Sequence, residues 1–207
     1  MNQPAEIRTI DKFNELTTTI SRSRFIAQVY SVKSEDEVKD YLANSKKKHY
    51  EASHHCYAYK LADRKFHHSD AGEPNGTAGI RIYNAIEHFE LTNQLVIVSR
   101  VFGGIKLGVG PLGKAYYESS FQVLNNSTID LKYLYQKVLI STEINKVSLI
   151  HRILAKYDSI ILTTDYEESL ILTCFIKSSK VNEINQILEE SAKNKTILTT
   201  KAEFIYK

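Results

Sequence analysis

The residues best suited to chemistry lie in two glycine-punctuated runs, Ser69-Asp70-Ala71-Gly72-Glu73-Pro74-Asn75-Gly76-Thr77-Ala78-Gly79 and Phe102-Gly103-Gly104-Ile105-Lys106-Leu107-Gly108-Val109-Gly110. All eight glycines of the chain fall between Gly72 and Gly113. Glycine is needed where φ is positive or where another group must come close, so the unusual backbone is concentrated here. A glycine loop feeding a helix turns backbone N–H groups and the positive end of the helix dipole toward the same point, which suits an anion. No acidic residue occurs between Glu90 and Glu118, whereas Arg100, Lys106 and Lys114 fall inside that interval. The chemistry expected is a phosphate contact, with Arg100, Gly103, Gly104, Lys106, Gly108, Gly110 and Lys114 as candidates. His55, Asp70, Glu73, Asn75 and Thr77 are the candidates for a polar rim. Turn chemistry that satisfies local backbone groups explains the Asp, Asn and Thr equally well. Arg100 has two readings as well: a ligand contact, or a pair with Asp70 or Glu73 that ties the loops together.

Other chemistries fare less well. Gly108 to Lys114 spells G-x-x-x-x-G-K, but Ala115 stands where a nucleotide loop needs Ser or Thr to hold Mg²⁺. His54-His55 and His67-His68 have no zinc-motif spacing, and neighbours on a strand point to opposite faces. The same divergence weakens Cys56 beside His55 as a nucleophile and base. No metal and no cofactor is expected.

The positioning elements follow from periodicity. Two β segments flank Ser21-Arg22-Ser23, and Ser34 with Glu37 forms a capping box ahead of a helix that ends at Lys46-Lys47-Lys48. Residues 54–61 alternate as a strand, with Tyr57, Tyr59 and Leu61 opposite Cys56 and Ala58. A helix carrying Ile82, Tyr83, Ile86 and Phe89 follows the first loop. Residues 94–101 form a buried strand, and a helix starts near Pro111. Beyond the polar stretch Asn125-Asn126-Ser127-Thr128, the pattern β-α-β-β-α-β over 133–205 is the ferredoxin-like split βαβ. The expected class is α+β, with domains at 1–128 and 129–207.

Composition sets the frame. With 43% hydrophobic and 25% charged residues over 207 positions, the chain can bury real cores. The net charge is +3, spread as 16 basic and 14 acidic groups over 1–129 and 11 and 10 over 130–207. General duplex binding by a basic excess is therefore not expected, and any nucleic-acid contact must be local. Cys56 and Cys174 read as reduced, packed thiols. Neither a membrane span nor a signal peptide is expected, and the cytoplasm is the expected location.

Ser23-Arg24-Phe25-Ile26-Ala27, His55-Cys56-Tyr57-Ala58-Tyr59, the run from Asp70 to Gly79 and the run from Arg100 to Gly108 resemble, in order and spacing, the IMPACT/YigZ family of the bacterial two-domain type. The resemblance implies an N-terminal domain with the fold of the second domain of a small-subunit ribosomal protein. It also implies a C-terminal domain like the ferredoxin-like domain V of elongation factor G. For bacterial members it implies a nucleic-acid or ribosome-linked role, and for eukaryotic ones regulation of a translation-stress kinase. The chain departs from the pattern at Ala71, where a second acid is usual, and at Val101, where an aromatic is usual. It departs again at Pro111, Gly113 and Lys114, where Gly, Val and Arg are usual. The expected function is a translation-associated regulator that binds RNA or the ribosome in a basic, glycine-rich cleft. An enzyme acting on a small phosphorylated or anionic substrate in the same cleft, or a regulator with a protein partner, are the alternatives.

Overall fold

The computed structural model describes residues 3–166, 169–191 and 196–207. They divide into two compact units, Ile7–Leu131 and, together with Pro4–Glu6, Lys132–Lys207. The first unit runs past residue 128 because Ile129 still packs on its core.

After β1 (Glu6–Thr9), which begins among the residues of the second unit, the first unit comprises β2 (Asn14–Ile20), β3 (Ser23–Ser31), α1 (Glu35–Lys48), β4 (His54–Lys60), β5 (Phe66–Ser69), α2 (Gly79–His88), β6 (Gln94–Val101) and α3 (Val109–Asn125). Strands β2-β3-β6-β4-β5 form an antiparallel sheet. The apolar run Leu95-Val96-Ile97-Val98 places β6 at its centre, where both faces are covered. Leu95 and Ile97 join Val38, Tyr59 and Leu61 under α1. Val96 and Val98 join Cys56, Ala58, Ile82, Ile86 and Tyr116 under α2 and α3. The alternation read in 54–61 is thus the alternation of two cores on either side of one sheet.

Local signals explain the element ends. Ser34 Oγ accepts the Glu37 N–H at 3.3 Å, while the Glu37 carboxylate accepts the Lys33 N–H at 2.7 Å, so the acidic side chain reaches one residue beyond the usual capping box. Ser21 (φ 46°) and Arg22 (φ 67°) form the two-residue turn between β2 and β3. Positive φ at both positions matches the twist of the strands, and without glycine it costs roughly 1 kcal/mol or more per residue. Strand β5 is an addition to the sequence reading, since four residues are too few to show a period, and the β segment read ahead of Ser21 divides into β1 and β2.

The second unit comprises β7 (Asp130–Thr142), α4 (Val147–Lys156), β8 (Ile160–Tyr166), β9 (Leu170–Lys177), α5 (Val181–Ser191) and β10 (Ile197–Tyr206). Its strands lie antiparallel in the order β10-β7-β9-β8, with β1 also paired to β7 as the fifth strand of the sheet, and Ile150, Leu154, Ile184 and Leu188 of the two helices share one core with it. This is the ferredoxin-like arrangement, and the whole chain is α+β. Pro4–Glu6 complete the unit: the Leu134 N–H donates to Ala5 O and the Tyr206 hydroxyl to Pro4 O, both at 2.8 Å. No helix among the described residues is long and apolar enough to cross a membrane.

Candidate functional site

Asp70 organises the first glycine loop. Its Oδ2 accepts the Gly76 N–H at 2.9 Å, and its Oδ1 accepts those of Ala78 and Gly79 at 2.9 and 2.8 Å. The carboxylate therefore caps the start of α2 from eight residues upstream. Burial alone would raise its pKa, but these three N–H bonds outweigh burial and hold the carboxyl below the usual Asp value. Thr77 Oγ1 donates to Pro74 O at 2.6 Å, which is turn chemistry, and Asn75 is exposed at the loop surface.

Beneath this loop, Glu73 is the hub of a buried polar group. Arg100 Nη1 and the Tyr116 hydroxyl both donate to Glu73 Oε1 at 2.8 Å. The side chains of Arg100 and Glu73 are only 7% and 4% exposed, so the charge faces its partner and not solvent. The Arg100 guanidinium lies 5.4 Å from the Phe25 ring centre and 5.5 Å from that of Phe102, and Nη2 donates to Ser23 Oγ at 3.4 Å. Its Nε finds no hydrogen-bond partner among the described residues, which is tolerable for a delocalised cation that lies over two aromatic rings. Of the two readings of Arg100, the geometry is that of the tie between the loops. The pair partner is Glu73, since Asp70 is spent on the helix cap.

Cys56 completes the cluster, with Sγ 2.9 Å from the accepting Asp70 carbonyl and 3.4 Å from Tyr116 Oη. Burial pushes its thiol up to about 12, so it is protonated at neutral pH and is no nucleophile. Burial likewise raises the Tyr116 phenol, and the neighbouring Cys56 and Glu73 add to the effect. His54 turns toward the loop, with Nδ1–H donating to Ala71 O at 2.9 Å and Nε2 4.0 Å from Glu73 Oε2. His55 does not join the rim. It points to the opposite face of the sheet, where Nδ1 is 2.8 Å from Ser99 Oγ, because adjacent strand residues diverge. Among the described residues no three His, Cys, Asp or Glu side chains could together hold a metal ion.

The second loop is built against the β2–β3 turn. The Gly103 N–H donates to Ser23 Oγ at 3.2 Å, and a Cβ on Gly103 would sit 2.1 Å from the Arg22 carbonyl carbon. Gly104 (φ 85°) and Gly108 (φ 81°) lie in the left-handed region, and Lys106 between them is exposed. The loop ends at α3, whose first turns pack beside those of α2. Between them lies a cleft of about 360 Å³ lined by Arg81, Asn84, Gly110, Gly113, Lys114 and Tyr117. No carboxylate lines it; Lys114, exposed, reaches Glu118 at 3.5 Å, while Arg81 makes no ion pair among the described residues.

The structure thus brings Gly110 and Lys114 together in the cleft, and gathers Glu73 and Arg100 beneath the loops. Arg81, Ser23 and Tyr116 are not among the candidate site residues read from the sequence. The readable signal for Arg81 was a cation in the first turn of a helix that carries no acid there, against the preference set by the dipole.

Residues 21–124 match the family model described as the Impact N-terminal domain. The chain is 27% identical over 190 residues to "IMPACT family member YvyE" of Bacillus subtilis, covering 91% of this chain and 88% of that one. It is 37% identical over 95 residues to "Protein IMPACT" of Rattus norvegicus, covering 44% of this chain and 30% of that protein. A solved structure described as the crystal structure of an hypothetical protein superimposes with a TM-score of 0.70 at 25% identity, covering 97% of this chain and 99% of the other.

Proposed function

The chain belongs to the IMPACT family, and from that premise we propose that it is a translation-associated regulator that binds RNA or the ribosome through the first unit. The contact surface is the glycine-rich face holding the second loop and the α2–α3 cleft. Arg81, Lys106 and Lys114 take phosphate groups, while Arg100 serves the architecture beneath them. The observation that carries this reading is the cleft itself, with two cations, two glycines, an Asn and a Tyr but no carboxylate in its lining. A glycine floor lets a phosphate approach the helix backbone, and the cations Arg81 and Lys114 supply the sequence-independent part of affinity.

Binding of a fluorescent single-stranded oligoribonucleotide, followed by anisotropy over a range of salt, tests the reading. Three phosphate contacts give a log–log slope near −2, from about 0.7 per contact, and Arg81→Ala, Lys106→Ala and Lys114→Ala each reduce it by about 0.7. A flat salt response, or turnover in a screen of phosphorylated metabolites, would replace it with the enzyme reading.

A further inference from the structure

We propose that Phe102 is a stacking platform for an unpaired nucleobase, which makes the ligand of this face single-stranded RNA. The inference rests on the RNA-binding reading above and adds to it the class of RNA and the residue that selects it.

Phe102 follows β6 and is 46% exposed. A lone exposed aromatic is ordinary on a protein surface, but this one is fixed in place. The Arg100 guanidinium lies over its ring at 5.5 Å, and that cation is itself held by Glu73 at 2.8 Å and lies 5.4 Å from the Phe25 ring centre. The next residue, Gly103, is pressed so closely on Arg22 that no Cβ fits. Holding half a phenyl ring rigid in water gains nothing for the core. It does remove the entropy that a mobile side chain would lose on stacking.

The electrostatics select the occupant. With Arg100 at the ring, π density is drawn toward that cation, so the ring is a poor receptor for a second cation. A lysine or arginine of a protein partner is disfavoured, whereas a nucleobase stacks without needing a negative face. Lys106, four residues after Phe102 and one of the three phosphate contacts above, is exposed and forms no ion pair among the described residues. It supplies a cation for a phosphate flanking a stacked base. A duplex keeps its bases stacked on each other and cannot offer one to the ring, so the commitment is to a single strand.

The test uses the full chain, a single-stranded oligoribonucleotide carrying 2-aminopurine, and the matching duplex. On the wild type, 2-aminopurine fluorescence is quenched on binding, and the duplex binds more weakly. Phe102→Leu, which keeps the apolar bulk without the π face, lowers single-strand affinity about tenfold with an unchanged salt slope. Phe102→Trp restores or exceeds the wild-type affinity and quenching, which separates stacking from mere bulk even if leucine loosens Arg100. If Phe102→Leu binds as tightly as wild type at an intact salt slope, the stacking role falls and the RNA reading stands. Equal binding of duplex and single strand has the same meaning. Failure of the wild type to bind either RNA at low salt overturns both.

Discussion

Arg100 and Glu73 pair away from solvent, and Tyr116 donates to the same carboxylate oxygen as Arg100. Removing one charge from such a pair strands the other, at a cost of about 3–5 kcal/mol. Arg100→Met is therefore expected to lower the melting temperature sharply. The double change with Glu73→Gln should recover a large part of the loss, because nothing buried is then left charged; additive losses in that cycle would show that the two do not interact. Asp70 is expected to reveal itself through pH. Its folded-state pKa lies below that of the unfolded chain, about 3.9, so its contribution is fully present above that value and is lost as pH falls through the folded one. Asp70→Asn should cost about 1 kcal/mol at pH 7. It should also flatten the acid limb of stability below about pH 4, as read by urea unfolding at several pH values. An unchanged acid limb would show that the cap is not the source.

Helix α3 carries Gly110 and Gly113 within its first two turns. Gly113 has a packing reason, since a Cβ there would come within 3.3 Å of the Arg81 Nε. Gly110 has none: its φ is not left-handed and no atom lies within 4 Å of where a Cβ would stand. In a helix, alanine at such a position is expected to be more stable by about 0.5–1 kcal/mol. Gly110→Ala should therefore raise the melting temperature and weaken RNA binding together, because the added methyl stands on the floor of the cleft. A rise in both, or no change in binding, would mean that no ligand approaches that backbone. The long periodic elements were readable in the residues: the alternation in 54–60, the apolar run 95–98 and the ferredoxin-like order all stand in the structure. Strand β5 was not, because Phe66-His67-His68-Ser69 neither alternates nor buries a face. The cleft was only half readable. Gly110 and Lys114 announce themselves in a glycine run, but Arg81 lies 33 positions from Lys114, and only the packing of α2 on α3 joins them. Tyr116 is hidden for the same reason, since two turns into a helix it looks like any other core aromatic.

Each unit has its own buried core, so a fragment spanning 7–131 is expected to melt cooperatively by calorimetry. A broad transition would mean that the cores form one folding unit. A fragment spanning 132–207 should melt lower than the same unit in the whole chain, because it lacks the Ala5 and Pro4 acceptors. That pairing of the two ends has a consequence in time. Pro4 leaves the ribosome 202 residues ahead of Tyr206, yet each is needed to finish the same unit. Residues 7–131 can fold while synthesis continues, and at roughly 5–20 residues per second the tail needs about 4–15 s more. For that interval Pro4–Glu6 wait without their partners at Leu134 and Tyr206, open to any other chain that offers a strand edge.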